Sequence, residues 1–318
     1  MTAARAQLVA QARAAIAAGS KSFAAASLLF DPATRERVHL LYAWCRACDD
    51  LADGQDMGGA LAARDGQEGE RLELIRDLTA RAMAGEATGH PAFDALGVVA
   101  AECGLTQGMA DDVIAGFALD AAGWQPRSEG DLMRYCYHVA GAVGVMMAVV
   151  MGVSPQDADT LDRACDLGLA FQLGNILRDV AEDAAADRCY IPAEWLAEMD
   201  IPPGQHMHPA HRPALVALAA RMADMAQAHE SAARIGAARL PWRSRWAVLS
   251  AANIYGAIAR KVRARGPAAW DARVHTGKGA KLVLVARALR QVFAPPPPVP
   301  QMPRWTRAEL IAMAQAGG

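Results

Sequence analysis

Apolar residues recur at helical spacing along almost the whole of this 318-residue chain, and hardly any stretch alternates as a strand does. Such a chain buries its hydrophobic residues by packing helix on helix. With 53% hydrophobic and 21% charged residues it has material for a large core and is not a disordered protein. The spacing predicts helices near residues 3–18, 20–29, 32–53, 68–84, 91–103, 106–121, 129–151, 155–185, 192–199, 211–237, 242–264 and 277–293. Their ends are marked. Asp31-Pro32 reads as an N-cap with proline at the first helical position, Ser154-Pro155-Gln156-Asp157 as a capping box, and Gly54 and Gly123 as stops. No composition break divides the chain, so residues 1–294 are expected to form one all-α domain, followed by a proline-rich tail over 295–318. Trp305, Leu310, Ile311 and Met313 in that tail could dock on the protein, touch a membrane or stay disordered.

Two of these helices end on acid. Asp49, Asp50 and Asp53 close the first, and Asp179, Glu182 and Asp183 lie near the end of the second. In each, two aspartates stand four apart, about one turn from each other on one face. Like charges so placed repel by roughly 0.2–0.5 kcal/mol on an exposed helix. At the first cluster, in the last turn ahead of Gly54, the negative end of the helix dipole disfavours each anion by about 0.3–1 kcal/mol more. Rotating residues 31–53 by 100° per residue puts Tyr42, Arg46, Asp49 and Asp53 on one stripe, beside the apolar face of Val38, Cys45 and Ala52. The same rotation gathers Gly168, Gln172, Asn175, Asp179 and Asp183, with Ala164 and Glu182 on the edge.

Alone, the first cluster could be a solvated acidic helix end and the second a polar seam satisfied by neighbouring helices. Two matching ones facing each other would hold two or three divalent ions across a diphosphate, with Arg46, Arg178 and Arg188 complementing the phosphate charge. That arrangement activates a diphosphate leaving group and generates a carbocation.

Other features are read more plainly. A net charge of −2 offers no basic surface for nucleic acid. Met1 to Ala18 reads as an amphipathic helix and not as a signal peptide. Val139 to Val153 is too short and glycine-rich to span a bilayer. A cytoplasmic protein is therefore expected. Its six cysteines, Cys45 and Cys48 among them, are expected to be reduced packing residues. His206, His208 and His211 read as a solvated loop, and His138 as a satisfied structural histidine. Gly141 and Gly144 each cost about 1 kcal/mol in a helix. A tight helix crossing or the wall of a hydrocarbon pocket near Tyr135 would account for them.

Taken together these blocks resemble the squalene/phytoene synthase family. The resemblance runs through Ser20-Lys21-Ser22-Phe23, Tyr42 to Arg46 leading into Asp49 and Asp53, Tyr135 to Gly144, Gly174 to Asp183, and Arg188 to Pro192. It covers roughly residues 15–290, in family order. It implies an isoprenoid-synthase helical bundle around a central apolar cavity, and head-to-head condensation of two prenyl diphosphates. Asp49, Asp53, Asn175, Asp179 and Asp183 would hold Mg²⁺ or Mn²⁺. Ser20, Ser22, Phe23, Arg46, Gln172, Asn175, Arg178, Arg188 and Arg273 would contact substrate. Tyr42, Tyr135, Tyr190 and Tyr255 would stand near the reacting carbons, with the four aspartates completing the catalytic set. The chain departs mildly from the family in having Gly19 where some relatives carry histidine.

No nucleotide-binding glycine fingerprint follows a strand, and no membrane helix closes the chain. Both absences favour the non-reductive branch, without NADPH, that turns two geranylgeranyl diphosphates into 15-cis-phytoene for carotenoid synthesis. The alternatives are squalene, dehydrosqualene or presqualene diphosphate chemistry on farnesyl diphosphate. A non-catalytic lipid-binding or assembly factor on the same fold would be expected to have lost aspartates that are intact here. Peripheral contact with a membrane and association with other carotenoid enzymes fit the same expectation.

Overall fold

Two N-terminal helices, α1 (Ala3–Gly19) and α2 (Lys21–Ser27), lead to α3 (Pro32–Asp53), the first acidic helix. The computed structural model describes residues 3–19, 21–54, 66–296, 298 and 302–316, without the side chains of Ala3, Lys21, Ser22, Ala25 and Ala316. Helix α3 begins as its sequence predicts: Asp31 accepts a hydrogen bond from the Thr34 amide at 3.0 Å, and Pro32 takes the first position. It ends at Gly54, which adopts the left-handed conformation (φ 63°) open to glycine. Helices α4 (Glu68–Met83), α5 (Pro91–Cys103) and α6 (Gln107–Ala121) complete the N-terminal half, in which α1, α4 and α5 pack around α3.

Next comes α7 (Glu129–Cys136), opened by a capping box between Ser128 and Asp131. The predicted single helix 129–151 is interrupted by a π-helical turn, Tyr137–Gly141, before α8 (Ala142–Val150). Two bonds to one residue of α6 accompany the wider turn. The Tyr137 hydroxyl donates to the Asp112 carboxylate at 2.5 Å, and His138 Nδ1 donates to the Asp112 carbonyl at 2.8 Å. His138 is thus a structural histidine. By length and composition the 22-residue run Glu129–Val150 could cross a bilayer, but 67% of its apolar window is buried inside the protein, so it is a core element.

The second acidic helix, α9 (Ala158–Ala185), starts later than its predicted capping box. Asp157 is the cap, accepting from Thr160 N at 3.1 Å, while the Ser154 hydroxyl is bonded to Gln156. After α10 (Ala193–Glu198), helices α11 (Arg212–Ala237) and α12 (Trp242–Arg265) pack along α9, and α13 (Lys278–Val292) packs on α12. No strand occurs among the described residues. The fold is all-α.

Helix α9 crosses the π turn and α8 at close quarters. A Cβ on Gly144 would lie 2.5 Å from the Ala164 carbonyl oxygen, and one on Gly168 would lie 2.2 Å from that of Ala140. The glycines at 141, 144 and 168 therefore serve a helix crossing, the first of the two readings open from sequence. All six cysteines are free. His206 is buried in place of lying in a solvated loop, and burial lowers its basicity.

The tail docks on the protein. Its helix α14 (Arg307–Ala316) packs on α7 and α9, with Leu310 fully buried. The Trp305 indole donates to Glu129 at 3.0 Å, and Arg307 reaches Asp162 at 2.6 Å.

Candidate active site

Three helices aim their C-terminal turns at one region: α3 with Asp49 and Asp53, α6 with Asp120, and α9 with Asp179 and Asp183. Their carboxylates are close enough to perturb one another. Asp49 is pushed up to about 6, by burial first and then by Asp53, with Asp50 and Asp120 adding smaller effects. Asp183 is raised to about 6 by burial and then by Asp179, with Asp120 again among the neighbours. Asp120 also reaches about 6 by burial, with Asp53 contributing. It therefore stands between the two acidic clusters. Asp49 keeps 51% of its side chain accessible, so the burial that raises its carboxyl is partial. Three helix dipoles add their negative ends to the same spot.

Arginines are distributed unevenly around this acid. Arg46 donates to Asp50 at 2.5 and 3.2 Å and to Asp49 at 3.1 Å, along one face of α3. Arg178 and Arg273 both hold Asp179: Arg178 Nε at 2.7 Å, and Arg273 through two nitrogens at 3.0 and 2.8 Å. Arg188 differs. It lowers the pKa values of Asp53, Asp120 and Asp183 together, yet among the described residues it closes no direct ion pair. Asp187, in the left-handed region at φ 57°, turns the chain so that the Arg188 amide bonds back to the Asp183 carbonyl at 2.8 Å. A cation shared among three carboxylates and fixed to none is placed to meet an anionic ligand.

The tyrosines form a second layer. Tyr135 and Tyr190 stack at 4.9 Å between ring centroids, and both hydroxyls donate to Asp120, at 3.1 and 3.2 Å to Oδ1. Trp124 extends the stack on Tyr135 at 5.7 Å. Burial keeps both phenols protonated, raising Tyr190 to about 12 and Tyr135 further still. Tyr42 stacks on Phe23 at 5.3 Å and Tyr255 on Phe171 at 4.5 Å. Gln172 and Asn175 are half-buried on α9, and neither amide has a hydrogen-bond partner among the described residues. Ser20 lies outside the described residues, as does the side chain of Ser22.

Comparison with known proteins gives the arrangement a lineage. The squalene/phytoene synthase family model matches residues 16–280. The chain belongs to the squalene/phytoene synthase family. It is 48% identical over 279 residues to a phytoene synthase of Pseudescherichia vulneris, covering 87% of this chain and 90% of that one. It is 45% identical to a 15-cis-phytoene synthase of Pantoea ananas, with the same coverage. Among solved structures, a dehydrosqualene synthase in complex with ligand superposes with a TM-score of 0.78 at 27% identity, covering 89% of this chain and 96% of that one. A squalene synthase from Alicyclobacillus acidocaldarius, at TM-score 0.74 and 24% identity over 84% of this chain and 97% of that one, shares the fold.

In this family member the donor set suits a divalent ion that also binds phosphate. Hard carboxylate oxygens are crowded until their pKa values rise, and Asp53 and Asp183 close no ion pair among the described residues. No three His, Cys, Asp or Glu side chains among the described residues form a ready-made metal cage. Mg²⁺ needs none, since it takes one or two carboxylates and completes its shell with water and substrate oxygens.

Asp120 escaped the sequence reading. It is a single acid, 59 residues before Asp179, and pairs with nothing in its own helix. Its signal was the one the two clusters share: an acid in the last turn of an apolar helix, just before a glycine stop at Gly123.

Proposed function

We propose that this chain condenses two geranylgeranyl diphosphates head to head, 1'-1, into 15-cis-phytoene by way of a cyclopropyl diphosphate. The observation that carries the reading is the convergence of both acidic clusters on Asp120 and Arg188, beside the Tyr135–Tyr190 stack. Four bacterial relatives named phytoene synthase or 15-cis-phytoene synthase, 43–48% identical over 85–87% of the chain, support the choice of product.

In the first half-reaction the C1–O bond of one substrate breaks, leaving an allylic cation and diphosphate. The C2–C3 double bond of the second substrate attacks that cation, and a proton leaves as the cyclopropane closes. In the second half-reaction the cyclopropyl diphosphate ionises, its skeleton rearranges and another proton leaves. Two diphosphates and two protons are released, and no reductant is consumed, in keeping with an enzyme that works without NADPH. Arg188, with Arg178 and Arg273 beside it, binds the departing diphosphate. Asp49, Asp53, Asn175, Asp179 and Asp183 would hold Mg²⁺ or Mn²⁺, which when bound neutralises diphosphate charge. Tyr42, Tyr255 and their ring partners Phe23 and Phe171 offer aromatic surfaces to the cation and keep water away from it. The Tyr135 and Tyr190 hydroxyls accept a leaving proton as their own hydrogens pass to Asp120, whose pKa near 6 suits a base working near neutrality.

The same reading places the enzyme in the cytoplasm, in peripheral contact with the membrane that receives its hydrocarbon and near other carotenoid enzymes. Incubating purified protein with geranylgeranyl diphosphate and Mg²⁺, without NADPH, should yield phytoene by chromatography and mass spectrometry, and EDTA should abolish it. A product formed only from farnesyl diphosphate, or only with NADPH, would replace this reading by the squalene-type one. No hydrocarbon from either substrate would leave a non-catalytic lipid binder.

A further inference from the structure

Helix α13 buries one side against α12 and turns an unusual side outward. Leu282 is 72% exposed, Phe293 is 78% and Val283 is 68%, with Leu289 exposed as well. At 100° per residue, Leu282, Ala286, Leu289 and Phe293 form one ridge about 60° wide along the outer face. Lys278 borders it on one side, and Arg290 and Arg287 on the other, all exposed. Apolar residues so displayed are costly in water unless something covers them.

The charge around the ridge says what that is. Helix α13 carries four cations, Lys278, Lys281, Arg287 and Arg290, and no Asp or Glu occurs from Ala272 to Ala308, although the overall net charge of the chain is −2. An apolar ridge between rows of cations complements the surface of an anionic bilayer, where acyl chains take the ridge and lipid phosphates take the cations.

The surface continues toward the substrate site. Arg245 ties the start of α12 to the end of α13 through the Gln291 and Ala294 carbonyls, at 3.3 and 2.8 Å. Beside it Trp242 is 51% exposed, an amphipathic ring of the kind that favours the headgroup level. Its neighbour Arg243 bonds the Leu29 and Phe30 carbonyls at 3.1 and 3.2 Å, in the turn that follows α2. There Leu28 is 60% exposed, and the same short helix carries Phe23, stacked on Tyr42 of the site.

We propose that the outer face of α13, with Trp242 and Leu28, is the surface by which this protein docks on an anionic membrane. This deepens the functional reading above, on which it rests, since it names where the contact is made and sets the helix that carries Phe23 beside the bilayer. The test is flotation of the purified full-length protein with vesicles of phosphatidylcholine, with and without phosphatidylglycerol, at low and high salt. Wild type should float with the anionic vesicles, more weakly at high salt and weakly with phosphatidylcholine alone. Lys278→Gln with Arg290→Gln should weaken binding by about 25-fold, taking about fivefold per lost cation. Leu282→Asp with Phe293→Asp should weaken it by more than tenfold. All four positions are exposed, and circular dichroism checks that the variants fold.

Wild type that does not float, variants that float as well as wild type, or binding indifferent to lipid charge and salt would each overturn the proposal. So would a variant that loses a dimer in sedimentation velocity while keeping its vesicle affinity, since a second copy would then own the face. Flotation reads no catalysis, so a failed phytoene assay and a failed flotation are separate results.

Discussion

Asp120 accepts hydrogen bonds from two tyrosines and feels both acidic clusters, so its replacement separates proton handling from ion binding. Asp120→Asn keeps the shape but removes the base. We expect turnover to fall by about 10²–10⁴-fold, in line with the loss of a positioned base, while Mg²⁺ with inorganic pyrophosphate still raises the melting temperature. Loss of that thermal shift with turnover intact would move Asp120 into the ion-binding set. The raised carboxyls also set a pH dependence. Asp49, Asp120 and Asp183 ionise near 3.8 in an unfolded chain and near 6 when folded. Each therefore contributes stability that is complete below about 3.8 and lost as pH rises through about 6. Ion-free protein should lose that contribution between pH 4 and pH 7. Mg²⁺ with pyrophosphate should raise the melting temperature more at pH 7.5 than at pH 5, because cations need the ionised carboxylates; thermal scans at the two pH values decide it. The clusters were legible in sequence because repulsive spacing within one helix is a local signal. Asp120 carried a weaker local sign, one acid ahead of a glycine stop, while its two tyrosine partners and the reach of Arg273 to Asp179 arise only when distant segments meet.

Helix existence and order were readable from apolar periodicity, and the ends were readable where a single residue decides them, as at Asp31, Gly54 and Gly123. The π turn was not, since its wider winding accompanies bonds to Asp112, a residue 25 positions earlier in the chain. Nor could periodicity say whether the glycines of α8 and α9 met a ligand or a helix. The crossing makes a sharp prediction about two glycines of α9 that look alike in sequence. Gly168→Ala forces a methyl into the Ala140 carbonyl and should cost about 1–3 kcal/mol by overpacking. Gly174→Ala meets nothing nearer than the Tyr255 carbonyl at 3.9 Å, and should be neutral or gain up to about 1 kcal/mol of helix propensity. Urea denaturation of the two variants measures both, and equal costs would show that the crossing relaxes freely.

Seen whole, the molecule is bound together by a few long-range polar ties. Glu129, 9% exposed, accepts from Trp305 and Arg304 of the tail and from Arg221 of α11, whose guanidinium lies 4.0 Å from the Trp195 ring centre. Deleting residues 295–318 would strip Glu129 of two donors and uncover the seat of Leu310. The melting temperature should then drop by several degrees, taking about 2–4 °C per kcal/mol for a protein near this size. An unchanged calorimetric trace would mean the tail contributes nothing to stability. Helix α13 is held differently. It shares a small core of its own, Ala237, Leu249, Ala288 and Val292, set apart from the main one. Fastened by few apolar residues and by hydrogen bonds from Arg245, Trp246 and Asn253, this outer stave should open ahead of the main core. Its amides should trade hydrogen for deuterium well before those of α9, and whatever covers its outer ridge would slow that trade without touching the interior.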